Sequence, residues 1–238
     1  MDRMRLDKLL ALQMDISRKD AGALVRQGKV CVCGQQVHDS AQKVCPTDVT
    51  FSGKPLDYQA NFYLMMNKPA GVLTAAWDAK QPTVMGLVPD ELMRRGLQPV
   101  GRLDKDTTGL LLLTDDGELA HRLLSPRHHV WKTYQARLIC PPSPCAEERF
   151  AHGIELSDFT CQPARLHRLK DGDTPLYEVC LREGKFHQVK RMFAAVGSEV
   201  TALCRTGFGP LLLPDTLAQG QCRSLTREET EALLKSGK

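Results

Sequence analysis

Residues 101–117 read GRLDKDTTGLLLLTDDG and crowd four aspartates, three glycines and four consecutive leucines into one stretch. Carboxylates this close suit three chemistries. As oxygen ligands, Asp104, Asp106, Thr108 and Asp115 fall on most ligand positions of a calcium loop, with Gly109 at its turn. That loop closes on a bidentate Glu, where Asp115 is shorter, and Pro99 and Gly101 oppose the helix that should precede it. As D-x-D-x-T, Asp104-Lys105-Asp106-Thr107-Thr108 spells a phosphoryl-transfer nucleophile and its acid/base, with Mg²⁺ offsetting the charge. Such a motif follows an apolar strand, whereas RRGLQPVGRL precedes this one and the leucines follow it. KDGDTP at 170–175 only partly mimics the acidic metal motif expected downstream. In the third reading a single Asp is the catalyst, on a loop leading into a buried strand, and the other acids shape turns.

The elements that must position such a loop can be read from periodicity. RLDKLLALQM at 5–14 puts Leu6, Leu9 and Leu10 on one helical stripe. Ser17, with Asp20 three residues on, predicts a capping box for a second helix that turns Ala21, Leu24 and Val25 inward and stops at Gly28. Short strands follow in KVCV, QQV and DVTFSG, and this unit is expected to occupy 1–58. A second domain over 62–238 has strand patterns at FYLMMNK, GLLLLT, KTYQARLI and LYEVCLRE. Helical patterns lie at MGLVPDELMRRG (85–96), ELAHRLL (118–124) and HQVKRMFAAVG (187–197). Strands and helices mix without a βαβ period, so the expected class is α+β.

Composition bounds the rest. The 238 residues are 42% hydrophobic and 25% charged, as in ordinary globular proteins. No stretch is apolar enough to span a bilayer or serve as a signal peptide, so a cytoplasmic protein is expected. The nine cysteines are scattered and odd in number, which suits reduced thiols; no zinc spacing is present. The net charge of +4 is modest, but it is unevenly placed. Between Glu118 and Glu147 no carboxylate occurs among Arg122, Arg127, Lys132, Arg137 and three histidines. Between Glu183 and Glu199 lie Lys185, Lys190 and Arg191. Two cationic stretches would suit a polyanion or form two solvated faces.

The first quarter resembles the small RNA-binding module of the S-four type, or alpha-L motif, through RLDKLL at 5–10, SRKDA at 17–21 and LVRQGKVCVCG at 24–34. That resemblance implies RNA contacts from Arg18, Lys19, Arg26 and Lys29. The remainder resembles the pseudouridine synthases, in the branch that modifies ribosomal RNA and carries this module. GRLDKDTTGLLLLTDDG matches the family's aspartate motif, KTYQARL its tyrosine motif and EGKFHQVKRMFAAVG its basic motif; NKPAG at 67–71 is a further signature. SPRHHVWKTY at 125–134 and FHQVKRMFAAVG are similar to the enzymes of small-subunit RNA.

The resemblance implies a mixed, mainly antiparallel sheet in the second domain, and an isomerase that detaches uracil from ribose and rejoins it through a ring carbon. It needs neither cofactor nor metal. Asp104 is then the catalytic carboxylate and Tyr134 the ring that stacks on the flipped base. Lys190 is the cation that pairs with Asp104 and favours its ionised form, with Arg191 the alternative partner. Arg102, Arg127, Lys132, Lys185 and Arg191 would contact RNA, and Leu203 would line the base pocket. His128 and His129 would be RNA-facing or structural, and Asp106, Asp115 and Asp116 would serve turns and caps. The implied partner is small-subunit ribosomal RNA in a partly assembled particle, met by a monomer.

Overall fold

The computed structural model describes residues 3–56, 58, 61–125 and 130–236. Contacts divide the chain into two units, Met1–Phe62 with Arg94–Gly96, and Tyr63–Met93 with Leu97–Lys238. The grouping of Arg94–Gly96 with the first unit is absent from any linear division at residue 62.

In the first unit, helices α1 (Leu6–Gln13) and α2 (Arg18–Arg26) pack their apolar stripes together. Leu6, Leu9, Leu10, Ala21 and Val25 are fully buried, with Val30, Val44 and Val49 from the strands; Leu24 is only half-buried. Ser17 caps α2 by accepting from Asp20 N–H at 3.1 Å, while its hydroxyl donates to the Asp20 carboxylate at 2.6 Å. Beyond the helix Gly28 takes a φ of +73°, the left-handed stop that glycine provides. Strands β1 (Val30–Val32), β2 (Gln35–Gln36), β3 (Val49–Phe51) and β4 (Lys54–Pro55) form an antiparallel sheet in the order β2-β1-β3-β4. Cys33 belongs to the turn between β1 and β2 rather than to a strand, because Cys33 and Gly34 both hold positive φ.

The second unit is built on a sheet whose main path runs β8-β9-β7-β10-β6-β5-β11. These strands are β5 (Tyr63–Lys68), β6 (Thr108–Thr114), β7 (Lys132–Leu138), β8 (Arg165–Lys170), β9 (Leu176–Leu181), β10 (Val200–Phe208) and β11 (Cys222–Ser224). Only β10 and β6 run parallel along this path, through Cys204–Thr108 and Arg205–Gly109; the other neighbours are antiparallel. The sheet is therefore mixed and mainly antiparallel. Helices α3 (Gly117–Leu124), α4 (Ala146–His152), α5 (Gln188–Ala195) and α6 (Arg227–Ser236) complete it.

The leucine run is a strand buried on both faces. Leu110 and Leu112 join one core with Leu119 and Leu123 of α3 and Leu233 of α6. Leu111 and Leu113 join the other with Phe150 of α4 and Met192 and Phe193 of α5. Alternating side chains of a continuous apolar strand serve two layers at once, each buried leucine contributing about 1.5–3 kcal/mol.

One expectation needs correction. MGLVPDELMRRG is not a helix: it forms short 3₁₀ turns at Val84–Leu87 and Asp90–Leu92. Pro89 holds Val88 extended, at ψ 122°, and offers no N–H to continue the turn. The long strand β10 and the helices α4 and α6 were not anticipated either. In β10 a buried arginine, Arg205, breaks the apolar alternation by which a strand is recognised.

Candidate active site

Asp104 lies on the loop that enters β6, and segment 68–74 braces that loop from behind. Lys68, fully buried at the end of β5, donates from Nζ to the carbonyls of Pro69 (2.9 Å), Lys105 (3.2 Å) and Thr107 (3.0 Å). Burial pushes its ammonium down to about 8, against the opposing pull of Asp106 and Asp104. Thr74 Oγ1 accepts from Leu103 N–H at 3.2 Å and donates to Leu103 C=O at 2.8 Å. Gly71 N–H reaches Lys105 C=O at 2.8 Å, and Thr107 N–H closes a turn on Asp104 C=O at 3.1 Å. The carboxylate is thus carried by a backbone held at most of its carbonyls, a preorganised arrangement.

The third wall comes from residues 184–189. Gln188, buried at the start of α5, accepts from Lys185 N–H at 3.0 Å and donates to Glu183. His187 precedes the helix in the left-handed region, at φ +50°. Its ring stacks on exposed Phe186 at 3.8 Å between centroids, and its Nε2 lies 3.7 Å from Asp104 Oδ1. Together these segments enclose a narrow cleft lined by Arg102, Asp104, Tyr134, Lys185, His187 and Leu203, among others. Among the described residues Asp104 is the sole carboxylate of that lining. Tyr134 and Leu203 are 8% and 7% exposed, on adjacent strands β7 and β10.

Not every expected residue joins the cleft. Lys190 does not pair with Asp104. Its Nζ holds both carboxylate oxygens of Asp106, at 2.7 and 2.6 Å, and so keeps that carboxyl below its ordinary range. The turn at 104–107 carries Asp106 toward α5 while Asp104 faces His187. Arg191 is no substitute, because Asp158 and Ser157 bind its guanidinium, which also lies over Phe159. Asp116 caps α3 through Leu119 N–H at 2.9 Å and accepts from Tyr63 OH at 2.8 Å. Arg102 and Lys185 are exposed at the cleft, whereas Lys132 is 8% exposed and is not part of its lining. Arg127, His128 and His129 lie outside the described residues.

In the first unit Arg18, Lys19, Arg26 and Lys29 are all exposed. Arg18 is not free: with Arg5 it brackets buried Asp7, at 3.0 Å and 2.8 Å, and the pair pulls that carboxyl down to about 2. Sequence reasoning missed Lys68, Thr74, His187 and Gln188 as site residues. Lys68 carried a signal, since NKPAG was noticed as a signature without a role. His187 lies within the basic motif GKFHQVKRM, but its conformation and its distance to Asp104 arise only in the folded chain.

Residues 62–195 match the family described as RNA pseudouridylate synthase, and residues 4–49 match the S4 domain. The chain belongs to the RNA pseudouridylate synthase family. It is 45% identical over 235 residues to the "Uncharacterized RNA pseudouridine synthase YtzG" of Bacillus subtilis (strain 168), covering 97% of this chain and 98% of the relative. It is 43% identical over 236 residues to "Ribosomal small subunit pseudouridine synthase A" of Escherichia coli (strain K12), covering 97% and 100%. Among solved structures it is similar to one titled "Crystal structure of pseudouridylate synthase", with a TM-score of 0.66, 35% identity and coverage of 97% and 99%. An RNA pseudouridine synthase is an isomerase, so the D-x-D-x-T spelling carries no phosphoryl transfer here. The S4 match bears out the resemblance of the first quarter, and the α+β architecture is that expected from the sequence. Among the described residues no helix is long and apolar enough to cross a membrane.

Proposed function

We propose that this chain converts a uridine of small-subunit ribosomal RNA to pseudouridine, with Asp104 as the catalytic carboxylate. One observation carries the catalytic assignment: among the described residues Asp104 is the sole carboxylate lining the cleft that Tyr134 and Leu203 also line. The choice of RNA is supported by the 43% identity, over nearly all of both chains, to a relative named for the ribosomal small subunit. Hydrolytic glycosidases place two carboxyl groups across the scissile bond, one of them for water or the sugar. A single carboxylate suits a glycosidic bond that is broken and re-formed without water.

In this reading Tyr134 stacks on the base and Leu203 packs against it. Lys190 acts by holding Asp106, which fixes the turn that carries Asp104. Arg102 and Lys185 meet the RNA as the target base leaves its stack, a step that costs a few kcal/mol. Lys19, Arg26 and Lys29 bind RNA from the first unit, with Arg18 contributing its exposed face. The substrate is a partly assembled particle in the cytoplasm, the protein acts as a monomer, and no cofactor takes part.

Asp104→Asn is expected to lower pseudouridine formation by about 10²–10⁴-fold or more, with RNA affinity within a few-fold of wild type. Turnover retained in that variant would overturn the assignment. Mapping pseudouridines in ribosomal RNA from cells with and without the gene tests the substrate. A missing modification in large-subunit rather than small-subunit RNA would correct it.

A further inference from the structure

Beside the Asp104 cleft lies a second one of about 410 Å³, and the two share Arg102, Tyr134, Gly184 and Lys185. Among the described residues five cations line it: Arg102, Lys132, Arg182, Lys185 and Arg205. Two of them are buried, Lys132 at 8% exposure and Arg205 at 2%. Lys132 Nζ donates to the carbonyls of Val130 (3.3 Å) and Arg182 (3.4 Å). Arg205 gives Nε to Leu110 C=O at 2.8 Å, while its buried Nη2 has no partner among the described residues.

Among the described residues the one carboxylate of the lining is Glu183, and it is already engaged. Its Oε1 accepts from Gln162 N–H and from Gln188 Nε2, and its Oε2 lies 4.0 Å from Lys185. Both buried cations lie near the Phe208 ring, at 5.8 and 5.1 Å, a contact that recovers part of their lost hydration. Burial and the neighbouring Arg205 charge push the Lys132 ammonium down to about 8. At the rim, Arg182 and Arg165 both lie over Trp131, at 4.3 and 4.7 Å. Glu183 attracts Lys132 through space, but the hydrogen bonds of Lys132 and Arg205 go to carbonyls, and two desolvated cations so placed are costly to a fold unless an anion arrives.

We propose that this second cleft is a subsite for one backbone phosphate of the RNA, that of a nucleotide beside the target uridine. Lys132 and Arg205 form its floor, and Arg182 and Lys185 its rim. The proposal rests on the reading of the first cleft as the uridine site, because the residues the two share set the phosphate next to the flipped nucleotide. A phosphate is a permanent anion with oxygens for several donors, and Lys132 and Arg205 line the cleft as cations whose hydrogen bonds among the described residues go to carbonyls. A base in the same place would leave both floor cations without a counter-charge.

The test is the salt dependence of RNA binding, measured for wild type, Arg205→Met, Lys132→Met and Arg182→Gln on in vitro transcribed small-subunit RNA. Thermal unfolding checks that each variant folds. Each is expected to lower the slope of log K against log salt by about 1, as loss of one phosphate contact does. The partner measurement uses RNA carrying a neutral methylphosphonate at single positions around the mapped uridine. One such position should weaken wild type and leave Arg205→Met and Arg182→Gln unaffected. Unchanged slopes, with no methylphosphonate position that the variants ignore, would mean that the cations only brace the sheet and would overturn the subsite. If the buried substitutions do not fold, exposed Arg182→Gln with the methylphosphonate series decides the matter. The slope is read from binding, so a wrong substrate RNA shows instead as absent wild-type turnover with the slope difference intact.

Discussion

Asp104 and Asp106 are chemically identical and two positions apart, yet the folded chain gives them different surroundings. Asp106 is neutralised by Lys190, while Asp104 lines a cleft beside Tyr134 and His187. What separates them is the backbone between, and Lys68 holds that backbone by the carbonyls of Lys105 and Thr107. Lys68→Met removes those donors without adding bulk at the cleft. Loosening a catalytic loop by about 1 Å costs on the order of 10²-fold in rate. Turnover by Lys68→Met is therefore expected to fall by at least about tenfold, with far-UV circular dichroism unchanged. Wild-type rates in a folded Lys68→Met protein would remove Lys68 from the positioning machinery.

At the scale of elements, the parallel contact between β6 and β10 decides how close Asp104 comes to Leu203 and Arg205. Gly109 makes that contact possible. It holds a φ of +100°, and a Cβ there would meet Arg205 O at 2.3 Å, Arg205 N at 2.7 Å and Cys204 Sγ at 2.8 Å. Backbone cannot step aside as a flexible side chain can, so Gly109→Ala should destabilise the protein by about 3 kcal/mol. Gly71, at φ +85° with open space around it, serves as the control: Gly71→Ala should cost only about 1–2 kcal/mol, the left-handed penalty. Chemical denaturation midpoints compare the two. Equal shifts would mean that strand proximity adds nothing at position 109. The same scale explains the start of α5, where buried Gln188 ties Glu183 to Lys185 and leaves His187 to turn its ring toward Asp104.

At the scale of the molecule, the two units have separate cores and should respond separately to acid. Asp7 is held near 2 by Arg5 and Arg18, against an ordinary value of 3.8. A depressed carboxyl stabilises the fold while ionised, so its contribution is complete above about pH 4 and is lost as pH falls from 4 toward 2. Because both arginines are partly exposed, that contribution is about 1–2 kcal/mol. Asp7→Asn should lower stability at neutral pH by that amount and flatten the pH dependence of the first unit between pH 4 and 2. Hydrogen exchange of the α1 amides reads this unit alone. An unchanged acid response in Asp7→Asn would show that the bracket adds no stability.

Periodicity and short motifs were enough to find the capped helix pair, the leucine strand, most of the other strands and the helix at 188–195, because each is set by local pattern and burial. The aspartate, tyrosine and basic motifs also marked Asp104, Tyr134 and the GKFHQVKRM segment as belonging to one site. Local pattern failed where Pro89 cut a helical stripe into turns and where Arg205 hid a central strand. It failed again at the ion pairs. Lys190 and Asp106 are 84 residues apart, and which of two neighbouring acids receives the lysine depends on how a turn on one loop faces a helix from another. Sequence alone therefore determined which residue types could do the chemistry. Tertiary structure decided which carboxylate faces the cleft, which lysine braces its loop and which cations are buried with carbonyls as their hydrogen-bond partners, since those are properties of contacts between distant segments.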